Sequence, residues 1–310
     1  MEHDTIQNRA GAGAAGELAD VDEHTITALV NGRIAATAAP RLAQIVAALT
    51  RHLHDFAREV RLDEDELMAA IAFMTEVGQM SDARRQECIL LSDVLGLSML
   101  VTAQSRRKPA GCTEATVFGP FHVPDSPEHA PGDDIANGAP GAPCFVRGVV
   151  RTLDGTPVAG AKIEVWQADE AGCYDVQYAG LEQARARATL RTDAHGAYRF
   201  RSIVASPYPI PHDGPVGRLL AALGRHPWRP AHLHFMITAD ACEPLITHVF
   251  RAGAPYLDAD AVFGVRQSLI AEWRLHPPGP GPGGVTLAQP FYTLDFDFVL
   301  NASAGVSESA

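Results

Sequence analysis

Near Pro109 the sequence changes its period, and that change constrains the fold more than any other feature. Between about Thr25 and Gln104 apolar residues recur at three- and four-residue steps. Leu42, Ile45, Leu49, Leu53, Phe56 and Val60 form one stripe, which predicts a helix with one buried face. Asp63 and Glu66 make a capping-box pattern ahead of Leu67, Ile71, Met74 and Val77. Ser81 can cap a third helix running through Leu90, Val94, Leu97 and Val101. After Pro109, proline and glycine multiply, and short runs rich in Val, Ile, Tyr and Phe alternate with turn signals. CFVRGVVRTLDGTPVAGAKIEVWQAD reads as strand, turn at Asp154-Gly155, bend at Val158 to Gly160, and strand. ATLRTDAHGAYRFRSI is a second such unit around His195-Gly196, and AHLHFMITA, LITHVF and FYTLDFDFVL add strands. HPPGPGPGG, from 276 to 284, reads as a surface loop. The fold class is α+β: a flexible N-terminus over 1–22, a helical region over 23–108 and a β-sandwich over 109–310.

Several functions are excluded by composition. The net charge of -12 leaves no basic surface for nucleic acid, and Arg106-Arg107-Lys108 is explained as a solvated helix end. The start has no basic region followed by an apolar one, and the most apolar run, CILLSDVLGLSMLV, carries Asp93 and is too short to span a membrane. Five scattered cysteines, without paired spacing, read as reduced thiols in a cytoplasmic protein.

The chemistry concentrates in RHPWRPAHLHFMI, from Arg225 to Ile237. In a strand, residues two apart share a face, so His232 and His234 project together as a two-point metal grip. By itself HxH is as consistent with packed histidines. Tyr174, just past Gly172, and Tyr208, between two prolines, are each as well explained as core. Two tyrosines and two histidines together would suit a hard trivalent ion, because phenolate oxygens stabilise Fe(III) over Fe(II) or zinc.

VWQADEAGCYDV, YPIPHDGPVG and GRHPWRPAHLHF, in this order, resemble the intradiol ring-cleavage dioxygenases. The resemblance runs from about Thr25 to Leu300 and includes the helical region of the catechol-type branch. It implies one non-haem Fe(III) per subunit, held by Tyr174, Tyr208, His232 and His234, with Tyr208 and His234 axial. It implies that Tyr208 takes a substrate proton and that Arg229 stabilises charge on the ring. His248 stands where many catechol enzymes have a glutamine paired with that arginine, and its protonation would respond to pH near neutrality. Within the family the motifs point to the branch acting on hydroxyquinol. Leu90 and Asp93 would then face the ring, Asp93 accepting a hydrogen bond from a third hydroxyl. Val117, Phe118, Gly119, Pro120 and Phe121 would line the other wall, with Ile210, Pro211 and Arg229 completing the pocket. Catechol and chlorocatechol are the alternative substrates.

The resemblance also implies a homodimer through the N-terminal helices, with a phospholipid at the interface. Among other classes, DGTPVAGAKIEVW also fits a metal-free transthyretin-like binding module. A zinc hydrolase lacks the third ligand pattern it needs. Arg225, His226 and Trp228 are expected to serve packing.

Overall fold

The computed structural model describes residues 20–35, 39–82 and 85–303. The flexible stretch expected over 1–22 lies outside them as far as residue 19. Asp22, in its remainder, accepts the N–H groups of His24 and Thr25 at 2.8 and 2.7 Å, ahead of the first helix. By its contacts the chain divides into two compact units, Met1–Ala72 and Phe73–Ala310.

The first unit holds α1 (Ile26–Ile34), α2 (Pro40–Val60) and the beginning of α3 (Glu64–Met80). Pro40 opens α2 where its missing N–H has no helical partner to lose, and Arg61 ends it in a left-handed conformation. The capping box forms as expected. Asp63 accepts the Glu66 N–H at 2.8 Å, and Glu66 accepts the Asp63 N–H at 3.1 Å. The stripe along α2, however, is not buried: its six residues are 48% to 57% exposed. On α3, Leu67, Ile71 and Met74 are exposed too, and Val77 alone of that stripe is buried. Periodicity reveals that a helix has an apolar face but not what covers it, and among the described residues nothing covers this one.

In the second unit, α4 (Glu87–Val94) and α5 (Leu97–Ser105) replace the single third helix expected, with an 80° bend between them. Gly96 makes the break by taking a φ of 75°. Ser81 is not the N-cap of α4; its hydroxyl reaches across to accept the Cys88 N–H at 3.2 Å. No single helix among the described residues is long and apolar enough to cross a membrane. The basic knot after α5 is solvated at Arg106 and Arg107 only. The Lys108 ammonium is buried without a partner, and that burial lowers its pKa.

The strands begin with β1 (Pro143–Thr152), β2 (Lys162–Gln167), β3 (Arg187–Arg191), β4 (Ala197–Ile203) and β5 (Tyr208–Pro209). After α6 (Pro215–Ala222) come β6 (Trp228–Arg229), β7 (His232–Thr238), β8 (Leu245–Arg251), β9 (Ile270–Ala271) and β10 (Trp273–His276). The last are β11 (Gly279–Pro280), β12 (Thr286–Leu287), β13 (Phe291–Asp295) and β14 (Phe298–Leu300). One sheet runs β3-β2-β7-β8-β9; the other runs β10-β13-β1-β14, with β4 on β1. β11, inside the stretch expected as a loop, pairs with β12 just beyond it as a small hairpin. Val146, Phe200 and Leu294 of one sheet and Val165, Leu190 and Phe235 of the other meet in one core, the expected sandwich.

Two features of this frame position the site. Along β7, Leu233, Phe235 and Ile237 enter the core, so His232 and His234 occupy the opposite face. The N-cap of α6 is Gly214, which has no side chain to offer, and Glu87 of α4 substitutes by accepting the Val216 N–H at 3.1 Å. Arg85 pairs with both Glu87 and Asp213, at 3.0 and 2.8 Å, joining α4 to the segment that follows Tyr208.

Candidate metal centre

Register places three imidazoles together. His234 lies opposite Trp166 of β2 on one side and His248 of β8 on the other, and the indole stacks on the His234 ring at 4.7 Å. One nitrogen from each of His232, His234 and His248 lies within 4.8 Å of the others, and all three residues are buried. The His232 Nδ1–H donates to the Pro230 carbonyl at 2.7 Å, because a carbonyl can only accept. That bond fixes the tautomer and turns a free Nε2 lone pair inward, the usual second contact of a metal-bound histidine. The two Nε2 atoms of His232 and His234 are 3.1 Å apart. Burial, reinforced by Arg229, lowers the His232 pKa to about 3, and burial with the neighbouring cations holds His234 well below its ordinary value.

Two phenols complete the cluster. The Tyr174 hydroxyl is 2.9 Å from His234 Nε2, and the Phe121 ring stacks on Tyr174 at 4.4 Å. Burial, with Tyr208 adding to it, pushes the Tyr174 phenol well above its usual pKa. The next residue, Asp175, is locked to Arg187 in a buried pair at 2.7 Å. Tyr208 crosses Tyr174 edge-on at 5.2 Å, held by the β5–β6 pairing that sets it opposite Arg229. The Arg229 Nη1–H donates to the Tyr208 oxygen at 3.2 Å. The four residues proposed from the sequence as ligands therefore share one buried point. Neutral imidazoles facing each other, His234 Nδ1 and His248 Nε2 left without partners, and a two-nitrogen, two-phenol donor set fit a hard trivalent cation. Gly119, at a φ of 79°, passes so close to His234 that a Cβ would sit 2.8 Å from Cε1.

His248 differs from expectation in two ways. It bonds through Nδ1 to the Thr116 hydroxyl at 2.5 Å, while the bonds of the Arg229 guanidinium go to Asp260 and Tyr208. Burial, then His234 and His232, lowers its pKa well below the usual value, so it stays neutral through neutral pH instead of titrating there.

Beside the cluster opens a cavity of about 170 Å³. A cavity of roughly 150 Å³ admits benzene, so this one takes a single ring. Leu90, Asp93, Val117, Ile210 and Pro211 line it as expected, with Gly119, Pro120 and Phe121 on the other wall and Tyr208 and Arg229 at the cluster side. Phe118 does not: it turns away to pack against His122 and Trp166, with ring centres at 4.7 and 6.1 Å, because its neighbour Val117 takes the inward position. Asp93 is 7% exposed, and burial raises its carboxyl pKa despite a hydrogen bond from Ser98 and the attraction of Arg229.

The sequence reading missed Arg85, Gln86, Glu87, Ile89 and Val262, which also line the cavity. The first four lie within five residues before Leu90, and that nearness is the available signal; Val262 carries none. It missed Asp260 as well, buried against Arg229. Burial pushes the Asp260 carboxyl up, but the adjacent guanidinium brings its pKa below the ordinary value. Arg225 holds the carbonyls of Val94 and Ala261, and Trp228 stacks on Tyr256, so these residues serve packing as expected.

A sequence profile described as "Catechol dioxygenase N terminus" matches residues 39–113, and one described as "Dioxygenase" matches residues 118–302. The 6-chlorohydroxyquinol 1,2-dioxygenase of Cupriavidus pinatubonensis is 58% identical over 284 residues, 92% of this chain and 99% of that protein. The hydroxyquinol 1,2-dioxygenase of Nocardioides simplex is 53% identical over 266 residues, 86% of this chain and 90% of that protein. The crystal structure of hydroxyquinol 1,2-dioxygenase from Pseudomonas putida DLL-E4 superposes with a TM-score of 0.85 at 41% identity, covering 91% of this chain and 99% of that one.

Proposed function

The chain belongs to the intradiol ring-cleavage dioxygenases, oxidoreductases that use non-haem iron, and we propose that it opens hydroxyquinol between its adjacent hydroxyls. The product is 3-hydroxy-cis,cis-muconate, the enol of maleylacetate. Both atoms of O2 enter it, since triol and O2 sum to the diacid with nothing left over. Membership of this family sets aside the metal-free binding module.

One Fe(III) per subunit is held by Tyr174, Tyr208, His232 and His234. When bound, a ferric ion supplies Lewis acidity at two vicinal oxygens and draws charge from the ring, which makes a ring carbon reactive toward O2. The protein's own groups do the rest. The Tyr208 oxygen holds a proton given up by a substrate hydroxyl, beside the Arg229 Nη1–H at 3.2 Å. Arg229 aims a buried positive charge at the ring as negative charge develops there. His248, neutral and anchored by Thr116, offers Nε2 as a hydrogen-bonding group beside the two ligand imidazoles. Val117, Ile210 and Pro211 keep water from the ring.

The observation carrying the substrate choice is Asp93, a nearly buried carboxylate on the wall of a cavity sized for one ring. It accepts a hydrogen bond from the third hydroxyl of the triol. Catechol offers it no hydroxyl, and a site built to hydrogen-bond a substrate group discriminates strongly against a ligand lacking that group. The names of the two relatives above support the same substrate class. Oxygen uptake with hydroxyquinol, catechol and 4-chlorocatechol side by side tests this. Hydroxyquinol is expected to turn over fastest, and a faster rate with catechol would transfer the protein to the catechol branch. Asp93→Ala is expected to lower kcat/KM for hydroxyquinol by about 10- to 100-fold, from the roughly 1.5–3 kcal/mol of a hydrogen bond to a charged group, with catechol little changed.

We also propose that residues 23–108 form a dimerisation region ahead of a catalytic region over 109–310. The exposed stripe of α2 is the surface that supports a homodimer, with a phospholipid in the apolar interface. Leu49→Asp with Leu53→Asp is expected to give a monomer in sedimentation velocity; an unchanged dimer would move the interface elsewhere. Five free cysteines support a reducing, cytoplasmic location.

A further inference from the structure

Arg229 carries its five N–H donors in a rigid plane, and at 2% exposure none of them reaches bulk water. The direction of that plane decides where its charge points. One edge is closed by Asp260: Nε–H donates to Oδ1 at 3.0 Å and Nη2–H to Oδ2 at 3.3 Å. Nη1 is left over, and its bond goes to the Tyr208 oxygen. Asp260 is fixed in turn, because Oδ2 also accepts the Gly264 N–H at 2.9 Å and Oδ1 the Val262 N–H at 3.4 Å.

The segment from Asp260 to Gly264 wraps this ion pair tightly. A Cβ on Gly264 would stand 2.9 Å from Arg229 Nη2 and 3.1 Å from Asp260 Oδ2. The Ala261 carbonyl is held by Arg225 Nη2 at 3.0 Å, while Nη1 of the same arginine holds the Val94 carbonyl at 2.6 Å, next to Asp93. Val262 lines the cavity. Two buried carboxylates, Asp93 and Asp260, thus attract one guanidinium, and Asp260 alone is bonded to it in place. An arginine released from Asp260 would turn toward Asp93 and consume the acceptor meant for the substrate.

We propose that Asp260 is a positioning residue: by clamping the Nε–Nη2 edge of Arg229, it keeps Nη1 on Tyr208 and keeps the guanidinium off Asp93, which stays available to the third substrate hydroxyl. This rests on the ring-cleavage reading above. A carboxylate acting only as structural filler would affect all substrates alike and would matter whether or not Arg229 is present.

The test is a double-mutant cycle on the iron-loaded, full-length protein with Asp260→Asn, Arg229→Ala and the pair. Asp260→Asn keeps the shape but sets an NH2 group against an arginine N–H. It is expected to lower kcat with hydroxyquinol on the order of a hundredfold, the cost of a misaimed catalytic group. Catechol turnover is expected to fall less, iron content to stay the same, and Asp260→Asn to cost nothing further in Arg229→Ala. An equal loss in both backgrounds, or an equal loss with both substrates, would overturn the proposal. Nitrocatechol titration, followed by the shift of the visible band, reads the same coupling without turnover. A wild type that cleaves no diol would therefore remove the ring-cleavage reading while the coupling is still measured. If Asp260→Asn does not accumulate as folded protein, Asp260→Glu keeps the charge and displaces the guanidinium by one methylene. It is expected to show a smaller loss, again absent in Arg229→Ala, and a loss persisting there overturns the proposal.

Discussion

His234→Ala is expected to yield a folded protein that neither retains iron nor cleaves hydroxyquinol. Its Nε2 is the atom in contact with both His232 and Tyr174, at 3.1 and 2.9 Å, so its removal opens the donor set at its centre. The loss is expected to exceed the roughly 10- to 100-fold that removal of an outer partner of a metal ligand costs. The measurements are metal analysis and visible absorption. A protein with both phenols on Fe(III) absorbs broadly in the visible through phenolate-to-metal charge transfer, and the variant is expected to be colourless. The fold is not expected to depend on this side chain, because β7 is anchored through Leu233, Phe235 and Ile237 on the other face. Metal-free wild type and variant are thus expected to unfold at similar temperatures. A coloured, iron-replete His234→Ala protein would dismiss His234 as a ligand.

Tyr208→Phe separates binding of the metal from chemistry. It deletes the oxygen that accepts the Arg229 Nη1–H and leaves His232, His234 and Tyr174 in place. Turnover of hydroxyquinol is expected to fall by about 10²–10⁴, the usual share of a positioned proton acceptor, with iron retained and the visible band shifted by loss of one of two phenolates. Stability is expected to change by about 1–3 kcal/mol at most, the cost of leaving one buried donor unpaired. Full activity would take Tyr208 out of the proton account.

Much of this molecule is legible in its sequence. The capping box at Asp63 and Glu66 formed as read, because it is a contact between residues three apart. The turns near Asp154 and His195 are local in the same sense. The strand character of AHLHFMITA follows from its short apolar run between turn signals, and the two-residue repeat of any strand puts His232 and His234 on one face. The third helix was misread across Gly96, since apolar spacing carries through a bend that a single left-handed residue introduces. Phe118 was misplaced because neighbouring residues in one motif can face opposite ways, and the motif does not say which faces in.

What the sequence determined by itself is therefore what depends on near neighbours: the change of period at Pro109, the alternation of β7, and the set of residue types that could bind a hard cation. What only the tertiary structure decided depends on contacts between residues far apart in the chain. Arg229 and Asp260 are thirty-one positions apart, and Thr116 and His248 are 132 apart. No periodicity relates such pairs; they meet because a β-strand register and a wrapped loop bring their backbones together. The exposure of the α2 stripe was decided the same way, since an apolar face is a local property and its burial is not.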